Sequence, residues 1–424
     1  VTEAARPLRL FRWNSPAVFA VAFVAMASGF GQFGAVAALG DVAKSFGHLT
    51  HGNTLADQAG LSGTIVGAGL AVIRLASLGA LFFTGLADRF GRRAMLLLTC
   101  AGGLVLTVVA AASPGYWWFV AIFALGRPLL SSTNGLAQVS AAELTASADR
   151  AKAVALVAAG YGFGAGLLAI VHSLGEGGLG FRGLFALVAV PLFALPLLAR
   201  RVQETDRFES VRQPPGAHRV FGHVGREHRR RLVIVSALTF GIAIMTGPAT
   251  SFVFFYAENV AHLSGTVTAA MVAAAGLTGL LGLLAGRWLA DHWGRRPTVA
   301  IAMAGIAGFG ILTYSSSTVA LFVGYGLGVF AGSLSAPAGG SLANEVFPTS
   351  VRASVAGWYV TAGVLGAAVG LLVFGAVADI GNRFSIAAVV TFLPALPLAG
   401  LLLLLPETKG TEPEELLGLA PPPL

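Results

Sequence analysis

Long uncharged runs decide what this chain can fold into. Ala94–Gln138 carries a single charge, Arg127, and Leu232–Ala257 carries none. A helix needs about 20 apolar residues to cross a hydrocarbon core of ~30 Å, and these runs exceed that. Inside lipid every backbone N–H and C=O must be paired within the protein, which favours whole helices over open strands. Only 11% of the residues are charged, against about 25% in soluble domains. An all-α membrane protein is therefore expected.

Glycine supports that reading. The chain has 56 glycines, and many sit inside apolar segments, as in Gly160-Tyr161-Gly162-Phe163-Gly164-Ala165-Gly166. Small residues let helix backbones approach closely in lipid, where hydrophobicity no longer drives association. Isolated G-x-G matches are read as helix packing. No GxxxxGK[ST] run is present in the sequence, so ATP-driven transport by this chain alone is not expected. The single cysteine, Cys100, excludes an intrachain disulfide. No cofactor or metal site is expected: His218, His223 and His228 fall in a basic loop, and His48 and His51 follow the first span.

The apolar pattern predicts about twelve spans, at 16–40, 60–84, 94–112, 117–140, 152–172, 183–199, 232–256, 267–289, 298–314, 319–342, 353–377 and 385–405. With the N-terminus inside, twenty-one Lys and Arg residues fall on the cytoplasmic side and only Lys44, Arg182 and Arg383 on the outer side. The positive-inside rule then places both termini in the cytoplasm of a multi-pass inner-membrane protein. The net charge of +8 belongs to this topology and to the lipid surface, not to nucleic acid. The expected organisation is a six-helix half at 1–199, a basic, Pro-Pro-Gly-containing cytoplasmic linker at 200–231, a second half at 232–405 and a cytoplasmic tail at 406–424. Linker and tail are read as mobile.

The two halves repeat. Leu86-Ala87-Asp88-Arg89-Phe90-Gly91-Arg92-Arg93 returns as Leu289-Ala290-Asp291-His292-Trp293-Gly294-Arg295-Arg296, at an offset of 203. Glu143 and Arg150 return as Glu345 and Arg352 at 202, and Glu204-Thr205 returns as Glu407-Thr408 at 203. An even number of spans per half makes the repeats parallel, about an axis along the membrane normal. These motifs resemble the major facilitator superfamily, whose loop between spans two and three reads G-x-x-x-D-[RK]-x-G-[RK]-[RK]. The paired E-x(6)-R and the Pro406-Glu407-Thr408-Lys409-Gly410 ending are similar to its sugar-porter and organic-ion branch. The resemblance implies two parallel six-helix repeats, transport by alternating access, and a central cavity lined by spans one, four, seven and ten.

Opposite charges gather where inner span ends meet: Asp88, Arg92, Arg93, Glu143 and Arg150 in one half, and Asp291, Arg295, Arg296, Glu345, Arg352 and Glu407 in the other. Such ion pairs contribute little net stability but can hold a face shut until broken, so a gating role is expected. Simple topology anchoring by the arginines is the plainer alternative.

Only Arg74, Arg127 and Arg287 fall within the spans. Arg287 is near an end and can snorkel. Arg74 and Arg127 are near mid-depth, where a charge costs at least ~2.5–3.5 kcal/mol and marks an aqueous path or a partner. Their repeat equivalents are Leu277 and Val329, so neither is demanded by the scaffold. Arg127, Ser131, Asn134 and Gln138 lie on one helical face; Gln32 of span one and Thr246 and Thr250 of span seven join the candidate binding set. Helix-to-helix hydrogen bonding is the structural alternative for these polar groups.

Two mid-depth arginines with no carboxylate at that depth suit an organic anion, which a guanidinium binds through two parallel hydrogen bonds. The expected function is therefore secondary or facilitative transport of an organic anion or carboxylate, with drug or metabolite efflux, or a neutral sugar-like solute, as alternatives. Proton coupling stays open: span one has Gly31-Gln32-Phe33 where proton-driven sugar porters carry an acid. No enzyme constellation such as HExxH lies in the spans. The expected partners are the small solute and the bilayer, with the chain a monomer.

Overall fold

Each long apolar run is realised as helix. The computed structural model describes residues 10–50, 55–174, 179–205, 225–348, 351–381 and 383–409. Among them we label α1 Pro16–Ala37, α2 Gly63–Phe90, α3 Arg92–Ala110, α4 Tyr116–Leu144, α5 Ser147–Leu174 and α6 Gly180–Ala199. The second set is α7 Arg226–Ser251 (continued by Val253–Asn259), α8 Gly265–His292, α9 Arg295–Thr313, α10 Thr318–Glu345, α11 Arg352–Ala378 and α12 Phe384–Leu404. Eleven of these are long and apolar enough to cross a membrane. The remaining one, α4, is 29 residues long but is diluted by Arg127, Pro128 and the polar run Ser131–Asn134. Short helices Leu39–Phe46 and Leu55–Ala59 lead from α1 to α2. No strand occurs among the described residues, only an isolated bridge between Phe11 and Thr145.

Local chemistry explains the boundaries. Ser15 caps α1, its Oγ accepting from the Val18 N–H, with Pro16 at the first helical position. Ser264 and Ser317 cap α8 and α10 in the same way. Three elements besides α7 depart from regular α-helix. α6 turns at Leu187 and Val188, between Gly180–Ala186 and Ala189–Ala199. α2 tightens to a 3₁₀ turn at Ser77–Gly79, and α12 continues beyond Phe392 as a 3₁₀ segment, Leu393–Leu404. Pro394 and Pro397 lack the N–H that an α-helix requires, which accounts for the change in α12. The helix of α7 also begins at Arg226, ahead of the expected start at Leu232. The centre of the linker (206–224) and the tail from 410 onward lie outside the described residues.

The chain clusters into two compact units, Val1–Leu39 with Ala76–Ala217, and Gly40–Leu75 with His218–Leu424. In the first, α1 packs on α5 and α3 on α4; in the second, α7 packs on α11 and α9 on α10. The same partnerships thus recur at corresponding positions of the two sequence repeats. Glycine makes the contacts close. A Cβ on Gly164 would stand 2.0 Å from the Met26 carbonyl oxygen, and one on Gly370 2.2 Å from that of Ile244. Large apolar side chains such as Phe82, Leu98, Phe193 and Leu284 remain exposed, as they would be toward lipid tails rather than water. Trp117 and Trp118, also exposed, stand at the start of α4, where interfacial aromatic rings belong.

Candidate functional site

The charged loops build the same cluster twice. In the first unit the Arg92 guanidinium pairs with Asp88 one turn earlier, and its Nε lies 3.5 Å from Glu143 Oε2 at the end of α4. The Thr205 hydroxyl donates to that same Glu143 oxygen at 2.7 Å. Glu204 closes the arrangement: its carboxylate accepts the Arg92 N–H at 2.8 Å and the Arg93 N–H at 3.2 Å. These are the first N–H groups of α3, which no helical carbonyl can satisfy, so an acid beyond α6 caps α3. Gly91, at φ +100°, makes the turn between α2 and α3 in a conformation that side chains disfavour.

The second unit repeats this geometry except at Thr408, whose buried hydroxyl makes no hydrogen bond among the described residues where Thr205 binds Glu143. Arg295 Nη1 lies 3.4 Å from Asp291, and its Nε 3.5 Å from Glu345 Oε2. Neither of the latter two atoms makes a hydrogen bond, so this is a loose ion pair. Glu407 accepts the Arg295 N–H at 2.8 Å and the Arg296 N–H at 3.1 Å. It also accepts from its own neighbours Thr408 and Lys409, at 3.0 and 3.2 Å. Gly294 turns at φ +115°, and a Cβ there would meet Glu407 Oε2 at 2.7 Å. Side-chain exposure is 15% for Arg92, 21% for Glu143 and 43% for Asp88, so the arginine and one acid are largely withdrawn from water while the other acid stays wet.

Two members of the expected clusters stand differently. Arg150 donates from Nε to the Ala142 carbonyl at 3.2 Å, and no ion pair joins it to Glu143 among the described residues. The Arg93 guanidinium donates to the Ala199 carbonyl at the end of α6. The Arg352 side chain lies outside the described residues.

The polar stripe of α4 is set by its helical spacing. Ser131, Asn134 and Gln138 are half-buried, whereas Ser132 and Thr133 beside them are fully buried and donate to the Leu129 carbonyl. Gln138 donates to Asn134 across one turn at 3.4 Å. Arg127 donates from Nη1 to the Gln32 carbonyl of α1 at 3.4 Å. Its Nε is buried and has no hydrogen-bond partner, and no ion pair reaches it among the described residues. Tyr161 of α5 lies within electrostatic reach.

Gln32 is only 4% exposed. Its amide donates to the Ser28 hydroxyl at 2.9 Å and to the Leu130 carbonyl at 3.0 Å, and Ser28 donates to that same carbonyl. This side chain is engaged in joining α1 to α4. Arg74 falls in the second unit, half-buried, just before the 3₁₀ turn of α2.

Within the second unit, Thr246 and Thr250 line a cavity of about 220 Å³ together with Thr313, Tyr325, Val329 and Ser333. A second cavity, of about 270 Å³, is lined by Thr239, Ser335, Ala336, Gly340 and Tyr359 among others. At the repeat offset of 202, the α4 residues Arg127, Ser131, Asn134 and Gln138 correspond to Val329, Ser333, Ala336 and Gly340. All four counterparts line one or other cavity. The same helical face is thus the cavity face of α10, with the charge replaced by valine. No group of His, Cys, Asp and Glu able to hold a metal occurs among the described residues.

The model of the Major Facilitator Superfamily matches residues 21–306 and 262–422. The chain belongs to the major facilitator superfamily. A Haemophilus influenzae protein named as a candidate metabolite transport protein is 25% identical over 347 residues, covering 78% of this chain and 84% of the relative. A candidate 4-methylmuconolactone transporter of Cupriavidus pinatubonensis is 27% identical over 378 residues, covering 85% and 84%. Among solved structures, the inward-open xylose transporter XylE of E. coli superposes with a TM-score of 0.71 at 22% identity, covering 95% of this chain and 99% of that one. As a superfamily member the protein is a membrane transporter of small solutes and not an enzyme.

The loop motifs mark the acids and arginines of this transporter, whereas three partner residues carry weaker signals or none in the sequence. Glu204 was visible only as half of a repeated Glu-Thr pair, although that repetition was the signal of its capping role. Thr205 follows from the same pair. Tyr161, inside a glycine-rich run, carries no signal that would set it beside Arg127.

Proposed function

We propose that this protein carries a small organic anion, above all a carboxylate, across the membrane by alternating access, with Arg127 as the anion's principal partner. The observation that carries this reading is the Arg127 side chain itself. A guanidinium at mid-span is expensive in lipid, yet this one has one backbone acceptor at 3.4 Å, no ion pair among the described residues, and a buried Nε with nothing to donate to. A carboxylate or phosphate would supply both the missing acceptor and the missing charge. The α4 face carrying it corresponds to the cavity-lining face of α10, which supports placing Ser131, Asn134 and Gln138 on the solute path. The name of the Cupriavidus relative gives a lactone as its cargo, which agrees with a small organic solute.

Both termini are assigned to the cytoplasmic side of the inner membrane, on the asymmetry of twenty-one Lys and Arg residues against three. In that orientation the two charge clusters are inner locks, one per six-helix half (1–199 and 232–405). Each joins three helix ends through an arginine whose ion pairs are at 3.4 Å or more except for the Asp88 contact. Pairs of this kind break at little net cost, which suits a lock that must open in every cycle.

One observation favours a second reading. The cavity around Thr246, Thr313, Tyr325 and Ser333 offers hydroxyl groups and no charge among its lining residues, which fits a neutral hydroxylated solute. Uptake into proteoliposomes of a panel of monocarboxylates, neutral sugars and cationic drugs, with and without a pH gradient, separates the two. Saturable uptake of carboxylates is the expected result; uptake of sugars alone would replace the anion reading with the neutral one.

A further inference from the structure

The carboxylate of Asp379 is unused by either lock. It stands just past the last residue of α11, at a helix C-terminus, where a negative charge is unfavourable. Its two oxygens are nevertheless fully engaged elsewhere. Oδ1 accepts the Gly63 N–H at 2.5 Å, and Oδ2 accepts the Thr64 N–H at 2.9 Å and also the Thr64 hydroxyl. These are the first N–H groups of α2, so an acid that its own helix does not favour caps the start of another helix.

The two backbones are in direct contact below this cap. A Cβ on Gly63 would lie 2.7 Å from the Gly375 carbonyl oxygen, one on Gly67 2.5 Å from that of Leu371, and one on Gly375 2.2 Å from that of Gly63. All these residues belong to the second unit, while α2 beyond Leu75 belongs to the first. The 3₁₀ turn at Ser77–Gly79 follows that boundary directly. α2 begins at Gly63 and reaches the Asp88–Arg92 lock at its opposite end.

We propose that Asp379 is the outer latch of the transport cycle: it fastens the outer start of α2, a helix of the N-terminal half, to the outer end of α11, a helix of the C-terminal half, and must let go when the outer side opens. The inference rests on the alternating-access reading. Chemistry suits the role. The latch is three hydrogen bonds to one carboxylate at a partly exposed position, where water can replace each bond during release. The glycines below it bring the two backbones into direct contact. Asp379 thereby acts as a positioning residue, touching no solute.

The test uses two reporter cysteines in a Cys100→Ser background, Cys100 being the single native cysteine. Val66→Cys reports the outer side, since Val66 is fully buried three residues into α2. Ala343→Cys reports the inner cavity that Ala343 lines. Maleimide reaction of Val66→Cys is measured from outside intact cells, and that of Ala343→Cys in inside-out vesicles. Asp379→Ala should raise the outer rate and lower the inner rate by roughly threefold to thirtyfold, the equilibrium equivalent of losing a helix cap. Asp379→Asn should do less, and Thr64→Val, which removes only the hydroxyl, least. Arg92→Gln, which breaks an inner lock, should trade the two rates in the opposite sense.

If Arg92→Gln trades the rates while Asp379→Ala and Thr64→Val do not, the latch is overturned and alternating access stands. If Asp379→Ala raises the outer rate with the inner rate unchanged, the contact is local fraying and the latch is overturned. If no variant trades the rates, alternating access falls and the latch with it.

Discussion

Replacing Glu407 with alanine removes one carboxylate that accepts four backbone N–H groups, two from the start of α9 and two from its own segment. The α9 pair matters most, because a helix end has no internal acceptor to offer. Loss of a helix cap costs about 0.5–2 kcal/mol, and hydrogen bonds to charged groups lie toward the upper end of such values. Each kcal/mol moves the melting temperature by about 2–4 °C at 150–250 residues and by roughly half that in a chain of 424 residues. Glu407→Ala should therefore lower it by roughly 2–4 °C, read by gel filtration of detergent-solubilised protein after stepwise heating. Glu407→Gln keeps one acceptor oxygen and should lose about half as much. Glu204→Ala should match Glu407→Ala, because Glu204 makes the same contacts to Arg92 and Arg93. The two losses should add in the double variant, since the carboxylates share no partner. A melting temperature unchanged within about 1 °C in Glu407→Ala would refute the capping account.

Three further outcomes follow from the same geometry. Gly294→Ala puts a side chain at φ +115° and against Glu407, so it should cost about 1–3 kcal/mol and destabilise more than Gly308→Ala, which meets open space. Gln32→Leu removes the amide bonds to Ser28 and Leu130; it should lower thermal stability by about 1–3 kcal/mol while leaving solute specificity unchanged in a competition assay. Arg92→Gln leaves Glu143 facing Thr205 but no cation; transport rate should fall at least severalfold with the affinity for solute nearly retained, measured as a split between maximal rate and half-saturation.

The helices were legible because lipid allows a long uncharged run so few conformations, and every expected span is a helix. The repeated loops were legible because opposite charges at fixed offsets rarely recur by chance. What sequence did not reveal were contacts between residues far apart in the chain. Glu204 and Arg92 are 112 residues apart, and Asp379 and Gly63 are 316 apart; nothing local distinguishes a capping acid from a solvated one. Gln32 shows the opposite difficulty. Its polarity in an apolar span marks it as special, but whether it faces a solute or a neighbouring helix depends on the rotation of α1, which the sequence pattern leaves open. The α4 stripe was readable because four polar residues at helical spacing define a face. Only the cavities against the matching face of α10 show where such a face can look.

The measurement that bears most directly on this transporter is carboxylate counterflow in proteoliposomes holding the wild-type chain, Arg127→Lys or Arg127→Gln. Saturable exchange is expected in the wild type, weakened exchange in Arg127→Lys, where a point charge replaces the planar fork, and loss of at least tenfold in Arg127→Gln with the protein still folded. Undiminished carboxylate exchange by folded Arg127→Gln would contradict Arg127 as the anion's principal partner.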